Sequence, residues 1–185
     1  FIHLPKNAGS SVTKVLANYI GVEREELRPQ KCKFIYARDI PNVLNNKQDD
    51  YFIFTVIRNP WERTVSYFHY LQQIRQPPNN LSKDVKFANW VRAGGFRTLQ
   101  TQMSQLSDDF PCSVSRNIDY VARLENLSED WPKICKKMGI SCDMMHDKKS
   151  KHKHYSEYYN EVTKDIVYKF YKDDVQCLGY EFEKK

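Results

Sequence analysis

An α/β fold, with a central parallel sheet flanked by helices, is what this sequence predicts, and three observations predict it. Two apolar runs, residues 1–4 and 52–57, each lead through a short turn into a helical repeat. The stretch 51–57 is apolar almost throughout, as expected of a parallel strand covered on both faces. Apolar patterns of strand and helix type alternate along all 185 residues with no repeat, low-complexity tract or linker, so the length fits one domain over 1–185.

The elements follow in order. After the first run, Pro5-Lys6-Asn7-Ala8-Gly9 forms a tight loop, and Ser10-Ser11 open a helix whose free backbone N–H groups attract anions. Val12, Val15, Leu16 and Tyr19 recur at helical spacing, and Gly21 stops that helix. Residues 33–36 predict a short strand. The run 52–57 ends at Arg58, after which Asn59 suits an N-cap and Pro60 the first helical position. In this helix Trp61, Val65, Phe68 and Leu71 form the core face, while Glu62, Ser66, His69 and Gln73 lie on another.

Residues 76–80 break the chain, and Ser82 then caps a helix carrying Val85, Phe87, Trp90 and Val91 that ends at Gly94-Gly95. Residues 96–116 read as loop or short helix. A strand is expected over 118–124, then a helix capped by Ser128 that carries Trp131, Ile134, Cys135 and Met138 and stops at Gly139. The last helix is expected to start near Tyr155, with Tyr158, Tyr159, Val162, Ile166, Val167 and Phe170 as core, followed by an extended tail over 176–182.

Bulk composition bounds the function classes. A 41% hydrophobic, 14% aromatic chain argues a folded globule, and no apolar run approaches the roughly 18 residues of a membrane span. The net charge of +6 favours an acidic partner. Part of the excess lies in the run 148–154, either a solvated basic loop or a phosphate or sulfated-glycan contact; without interleaved aromatics before Tyr155 it does not read as a nucleic-acid surface. The chain begins inside its first strand, so a removed leader or anchor would leave no trace, and localisation stays open between a secretory lumen and the cytoplasm.

Five cysteines form no CxxC pair and no finger spacing, and His146, His152 and His154 lack ordered carboxylates, so no metal is expected. The odd count leaves at least one thiol unpaired within the chain, and Cys135, on an apolar helix face, reads as a structural thiol. Two Asn-x-Ser triplets, 80–82 and 126–128, permit a secretory route.

Leu4-Pro5-Lys6-Asn7-Ala8-Gly9-Ser10-Ser11 resembles the 5′-phosphosulfate loop of carbohydrate sulfotransferases, Pro-Lys-x-x-Gly-[ST]-[ST]. The segment 58–67, Arg-Asn-Pro-Trp-Glu-Arg-Thr-Val-Ser-Tyr, resembles their 3′-phosphate signature, and 118–127 is similar to a family strand ending in Arg-Phe-Glu-Asn-Leu. The branch resembled is the Golgi-type one, with uronyl, heparan 2-O- and chondroitin-sulfotransferase likeness. This likeness implies a P-loop-like three-layer domain that transfers a sulfuryl group from 3′-phosphoadenosine 5′-phosphosulfate (PAPS) to an acceptor hydroxyl, of a glycan or a small alcohol, releasing the bisphosphate PAP. It also implies the nucleotide ligands: residues Pro5, Lys6, Asn7, Ala8, Gly9, Ser10 and Ser11 at the 5′ end, Arg58 and Ser66 at the 3′-phosphate, and Lys153, or else Lys151, over the nucleotide.

The residues agree with that chemistry. A leaving bisphosphate gains negative charge, and an ammonium at Lys6 beside helix-terminal N–H groups is placed to meet it. Arg58 offers a planar fork to a phosphate, and Ser66 a hydroxyl two turns further on. Arg63 either supports the loop through a buried carboxylate, Glu125 being a candidate, or is exposed. A general base must reach the acceptor hydroxyl. Candidates are His69, Asp39 and Tyr36, since no histidine lies in 33–39, where the family often has one; His3 reads as a strand residue beside the loop. A P-loop kinase would want Gly-Lys-[SerThr] at the loop end, where this chain has Gly9-Ser10-Ser11. A basic module that binds nucleotide or sulfated glycan without turnover is the non-enzyme alternative.

Overall fold

The computed structural model describes residues 1–22, 36–74, 86–108, 112–141 and 153–184. It is a mixed α/β structure with a small parallel sheet and many helices, and the chain forms two compact units.

The first unit comprises 1–58 and 104–149. Its sheet pairs β1 (Phe54–Ile57) in parallel with β2 (Tyr120–Arg123), Phe54 opposite Tyr120 and Ile57 opposite Arg123. On the other side of β1, Ile2 bridges Thr55 in parallel; the Ile2 N–H donates to the Phe54 carbonyl at 2.8 Å, and the Thr55 hydroxyl donates to the Ile2 carbonyl at 3.0 Å. The expected first strand is thus a single bridging residue, and the other two strands are shorter than expected. All four residues of β1 are buried, as a strand covered on both faces requires.

Helix α1 (Gly9–Ile20) follows the Ile2 segment and ends at Gly21, whose φ of 73° is the left-handed conformation glycine adopts without a Cβ clash. Gly9, Val12 and Ala17 are its buried residues, whereas Tyr19, expected on the same face as Val12, is 58% exposed. A 3₁₀ turn over Ala37–Asp39 leads into the short α2 (Ile40–Val43); of the strand expected at 33–36, residues 33–35 lie outside the described ones. Helix α3 (Pro60–Gln73), α4 (Phe87–Arg92) and the single-turn α5 (Met103–Leu106) come next in the chain, and α6 (Leu127–Met138) follows β2.

Helix α6 does not use Ser128 as its cap. A 3₁₀ turn over Leu124–Asn126 runs directly into it, so Asn126 takes the cap position and Ser128 lies inside the first turn. Asp130, also in that turn, accepts the Arg123 N–H at 3.1 Å and the Tyr120 hydroxyl at 2.8 Å, hooking α6 onto β2. Val12, Phe54, Val56, Ala122, Trp131, Ile134 and Cys135 form the core of this unit. Cys135 is disulfide-bonded, as are Cys112 and Cys177, which overturns its reading as a structural thiol.

The second unit comprises 59–103 and 150–185 and is helical, built from α3, α4, α7 (Glu161–Phe170) and α8 (Lys172–Cys177). The expected core face of α3, Trp61, Val65, Phe68 and Leu71, is buried, in one cluster with Phe87, Trp90, Phe96, Tyr155 and Tyr171. The expected Ser82 cap lies outside the described residues. The helix expected to start near Tyr155 is α7, which starts at Glu161: the Asn160 side chain accepts the Thr163 N–H and the Thr163 hydroxyl accepts the Asn160 N–H, a capping box that fixes the start. Residues 155–158 form only a 3₁₀ turn, and Val162, expected in the core, is 57% exposed.

Candidate active site

In the first unit the parallel pairing sets the carboxyl ends of the Ile2 segment, β1 and β2 along one edge, where open parallel sheets bind ligands. The loop Pro5–Ala8 leaves the first of these ends. Two of its residues, Lys6 (φ 69°) and Ala8 (φ 57°), hold left-handed backbone, at a cost of about 1–2 kcal/mol each for a residue with a Cβ. Such strain persists where surrounding structure over-determines it. Here Asn7, 1% exposed, donates from Nδ2 to the Val56 carbonyl at 2.8 Å and ties the loop to β1. Asn7, a candidate nucleotide ligand, thus spends a side-chain N–H on the scaffold.

The left-handed turn at Ala8 also starts α1, since the Ala8 carbonyl accepts the Ser11 and Val12 N–H groups at 2.8 and 3.1 Å. That leaves the N–H groups of Gly9 and Ser10 at the open end of the helix, where its dipole favours negative charge. Gly9 is buried beneath the His3 ring, and a Cβ there would collide with the imidazole. His3 therefore roofs the loop, a role its strand position did not disclose.

Arg58 stands at the end of β1 and is buried; its Nη1 donates to the Lys6 carbonyl at 3.1 Å. The two cations feel each other: burial, and then the Arg58 charge, lower the Lys6 ammonium from 10.5 to about 8. The phosphate groups expected on Lys6 and on Arg58 would therefore approach one shared patch of positive charge. A buried guanidinium, a half-buried ammonium and a helix N-terminus together suit a multiply charged anion. Asp39 and Tyr36, candidate bases, flank the 3₁₀ turn; the Asp39 N–H donates to the Tyr36 carbonyl at 2.9 Å, and the Arg38 guanidinium lies 4.7 Å from the Tyr36 ring centre.

The second unit holds the other candidates. Asn59 caps α3 as expected, accepting the Trp61 N–H at 3.1 Å while donating to the Glu181 carbonyl at 2.9 Å, and Pro60 is the first helical residue. Ser66 and His69 share the half-buried face of α3. His69 Nε2 lies 2.8 Å from the Tyr158 hydroxyl, which also takes a hydrogen bond from the Lys153 backbone N–H. Burial raises the Tyr158 pKa, so the phenol keeps its proton. The Lys153 ammonium is exposed and sits 3.8 Å from Glu157.

Arg63 is fully buried, which overturns its surface alternative. Its Nη1 donates to the Gln100 carbonyl at 2.8 Å, and its charge acts on buried Asp174. Asp174 accepts the Gln102 and Met103 N–H groups at 2.8 and 2.7 Å, and the Tyr171 hydroxyl donates to the Leu99 carbonyl at 2.8 Å. Together these side chains pin the backbone of residues 99–103. Sequence reading missed Asp174 because Asp173-Asp174 looks like an ordinary acidic first turn. Burial raises its pKa, against those backbone donors and the Arg63 charge. Among the described residues no group of three or more His, Cys, Asp or Glu is arranged to hold a metal.

A profile of the sulfotransferase family matches residues 1–181. An uncharacterized protein of Archaeoglobus fulgidus is 28% identical over 92 residues, which is 50% of this chain and 71% of that protein. No solved structure matches significantly. The family match runs from the bridging Ile2, through the loop and both cations, to the C-terminal tail, and the chain belongs to the sulfotransferase family.

Proposed function

We propose that this protein transfers the sulfuryl group of PAPS to an acceptor hydroxyl, as one P-loop-like three-layer domain of the carbohydrate-acting type. The observation that carries the reading is the Lys6–Arg58 pair: two cations sharing one edge of the sheet, with the Lys6 pKa lowered by burial and by Arg58. A protein keeps such a pair when an anion of more than one charge relieves it, and a nucleotide phosphosulfate with a 3′-phosphate is such an anion.

The acceptor oxygen bonds to sulfur, the bond from sulfur to the bridging phosphate oxygen breaks, and the electron pair leaves with the bisphosphate. The acceptor proton passes to a base. Lys6 and the N–H groups at the start of α1 meet the charge developing on the leaving phosphate, and Arg58 holds the nucleotide. Ser66 and Lys153 are the further proposed phosphate ligands. His69 is the preferred base and Asp39 its alternative. His69 is preferred because Tyr158 holds its ring, Nε2 lying 2.8 Å from the phenol oxygen; in the tautomer in which Nε2–H donates to that oxygen, Nδ1 keeps the lone pair that a base needs. The three disulfide-bonded cysteines support the secretory setting of the Golgi-type branch.

Calorimetric titration with adenosine 3′,5′-bisphosphate against ATP tests the nucleotide reading, and the bisphosphate is expected to bind far more tightly. Transfer of labelled sulfate from PAPS to a panel of uronic-acid glycans and small alcohols tests turnover. Tight bisphosphate binding without transfer to any acceptor would favour the non-catalytic module, and preference for ATP would end the PAPS reading.

A further inference from the structure

Cys112, Cys135 and Cys177 are disulfide-bonded, and disulfides form and persist where the surroundings are oxidising. The lumen that oxidises thiols in eukaryotic secretion also attaches oligosaccharides to Asn-x-Ser triplets. Residues 126–128, Asn-Leu-Ser, form such a triplet, and the fold presents it in an unusual way. Asn126 and Ser128 are both exposed, whereas Leu127 between them packs against the core of the first unit. The middle residue therefore anchors the segment while both recognition residues face solvent.

Asn126 stands at the cap position of α6, where an asparagine side chain ordinarily accepts a backbone N–H. Its side chain makes no such bond. Modifying the amide would remove no capping interaction, and α6 keeps the attachment that Asp130 makes to Tyr120 and Arg123.

From these two independent features, the disulfide bonding and the accessible, uncommitted amide, we propose that Asn126 is an N-glycosylation site. In the step, Asn126 Nδ2 bonds to the anomeric carbon of the first sugar of a lipid-diphosphate-linked oligosaccharide. The bond from that carbon to the diphosphate breaks, the lipid diphosphate leaves with the electron pair, and one amide proton is lost to a base. The transferase and the lipid-linked donor belong to the secretory pathway. The inference is independent of sulfuryl transfer.

The test is expression of the chain behind a secretory leader in a eukaryotic host. The secreted protein is treated with peptide N-glycosidase in heavy-oxygen water, and the tryptic peptides and free thiols are measured. Asn126 is expected to be recovered as heavy-oxygen aspartate. Asn126→Gln and Ser128→Ala should each lose one oligosaccharide by gel shift, Ser128→Thr should keep or raise occupancy, and Asn126→Gln should leave the thermal midpoint of the deglycosylated protein unchanged. Unmodified Asn126 in secreted protein whose cysteines are oxidised overturns the proposal. Secretion with all five thiols free would remove its premise and overturn it equally. Neither result bears on bisphosphate binding, which tests the proposed activity separately.

Discussion

The two units solve different problems with different means. The first holds charge with backbone: a loop with two left-handed residues, a helix N-terminus and two cations, mounted on the carboxyl ends of a minimal parallel sheet. The second holds shape with side chains: a cluster of aromatic rings around α3 and one buried arginine and aspartate that pin an irregular segment. The boundary falls between Arg58 and Asn59, so it divides a signature that reads as continuous in the sequence. Losses in the first unit should therefore fall on rate and anion affinity, and losses in the second on stability first.

Lys6→Ala is the sharpest way to break that contrast, with an expected loss of about 10²-fold or more in kcat, by analogy with a lost oxyanion donor. The thermal midpoint should hardly fall, because the ammonium is already disfavoured in the folded state. If stability falls while the rate survives, Lys6 is scaffold. The counterpart in the second unit is Arg63→Met, expected to cost about 3–5 kcal/mol by leaving a buried carboxylate uncompensated. The double variant with Asp174→Asn should recover part of that loss in urea unfolding, and an additive double variant would show that the two charges do not act as a pair.

Gly9→Ala tests the loop by shape alone. The added methyl meets the His3 ring, and overpacking of this kind costs about 1–3 kcal/mol. Adding His3→Ala should restore both stability and bisphosphate affinity, measured by calorimetry. No recovery would mean that the imidazole is not the obstacle.

Lys6 also predicts opposite pH trends for activity and stability. Its folded pKa of about 8 lies below the ordinary 10.5, so folding penalises the charged form; that penalty is complete below about pH 8 and is relieved as pH rises toward 10.5. This contribution to stability therefore increases with pH above 8. In the proposed mechanism activity needs the ammonium, so kcat/KM should fall over the same range, and Lys6→Arg should remove that limb. Bisphosphate binding near pH 8 should draw in a proton, visible as a dependence of the calorimetric heat on buffer ionisation enthalpy.

The legible parts of the fold were those set by local chemistry. Asn59-Pro60 opened α3, Gly21 and Gly139 closed their helices, and the apolar alternation of α3 named its buried face, because capping, left-handed φ and helical period are properties of a few adjacent residues. The start of α7 was missed where a capping box at Asn160 and Thr163 outweighed the earlier run of tyrosines. Asp174, the roofing of Gly9 by His3 and the disulfide at Cys135 were illegible for a common reason: each depends on a partner brought close only by tertiary folding. In the candidate site the cations could be named from sequence, but their mutual influence could not, since it arises from the approach of Arg58 to Lys6 across 52 residues of chain.

The smallest expected effect asks whether the helical unit contributes anything beyond shape. Tyr158 receives the Lys153 N–H and meets His69 Nε2 at 2.8 Å, so Tyr158→Phe removes one hydroxyl from the aromatic cluster and leaves its ring packing in place. Were His69 an ordinary surface histidine, the variant would be kinetically silent. With His69 as the base, loss of its orienting bond should lower kcat by about 3–10-fold, less than the 10²–10⁴-fold that general-base catalysis supplies in total, and leave the KM for PAPS unchanged. A lower kcat without change in stability assigns a chemical part to the second unit; a lower thermal midpoint with an unchanged kcat returns Tyr158 to the scaffold and leaves Asp39 as the base to test.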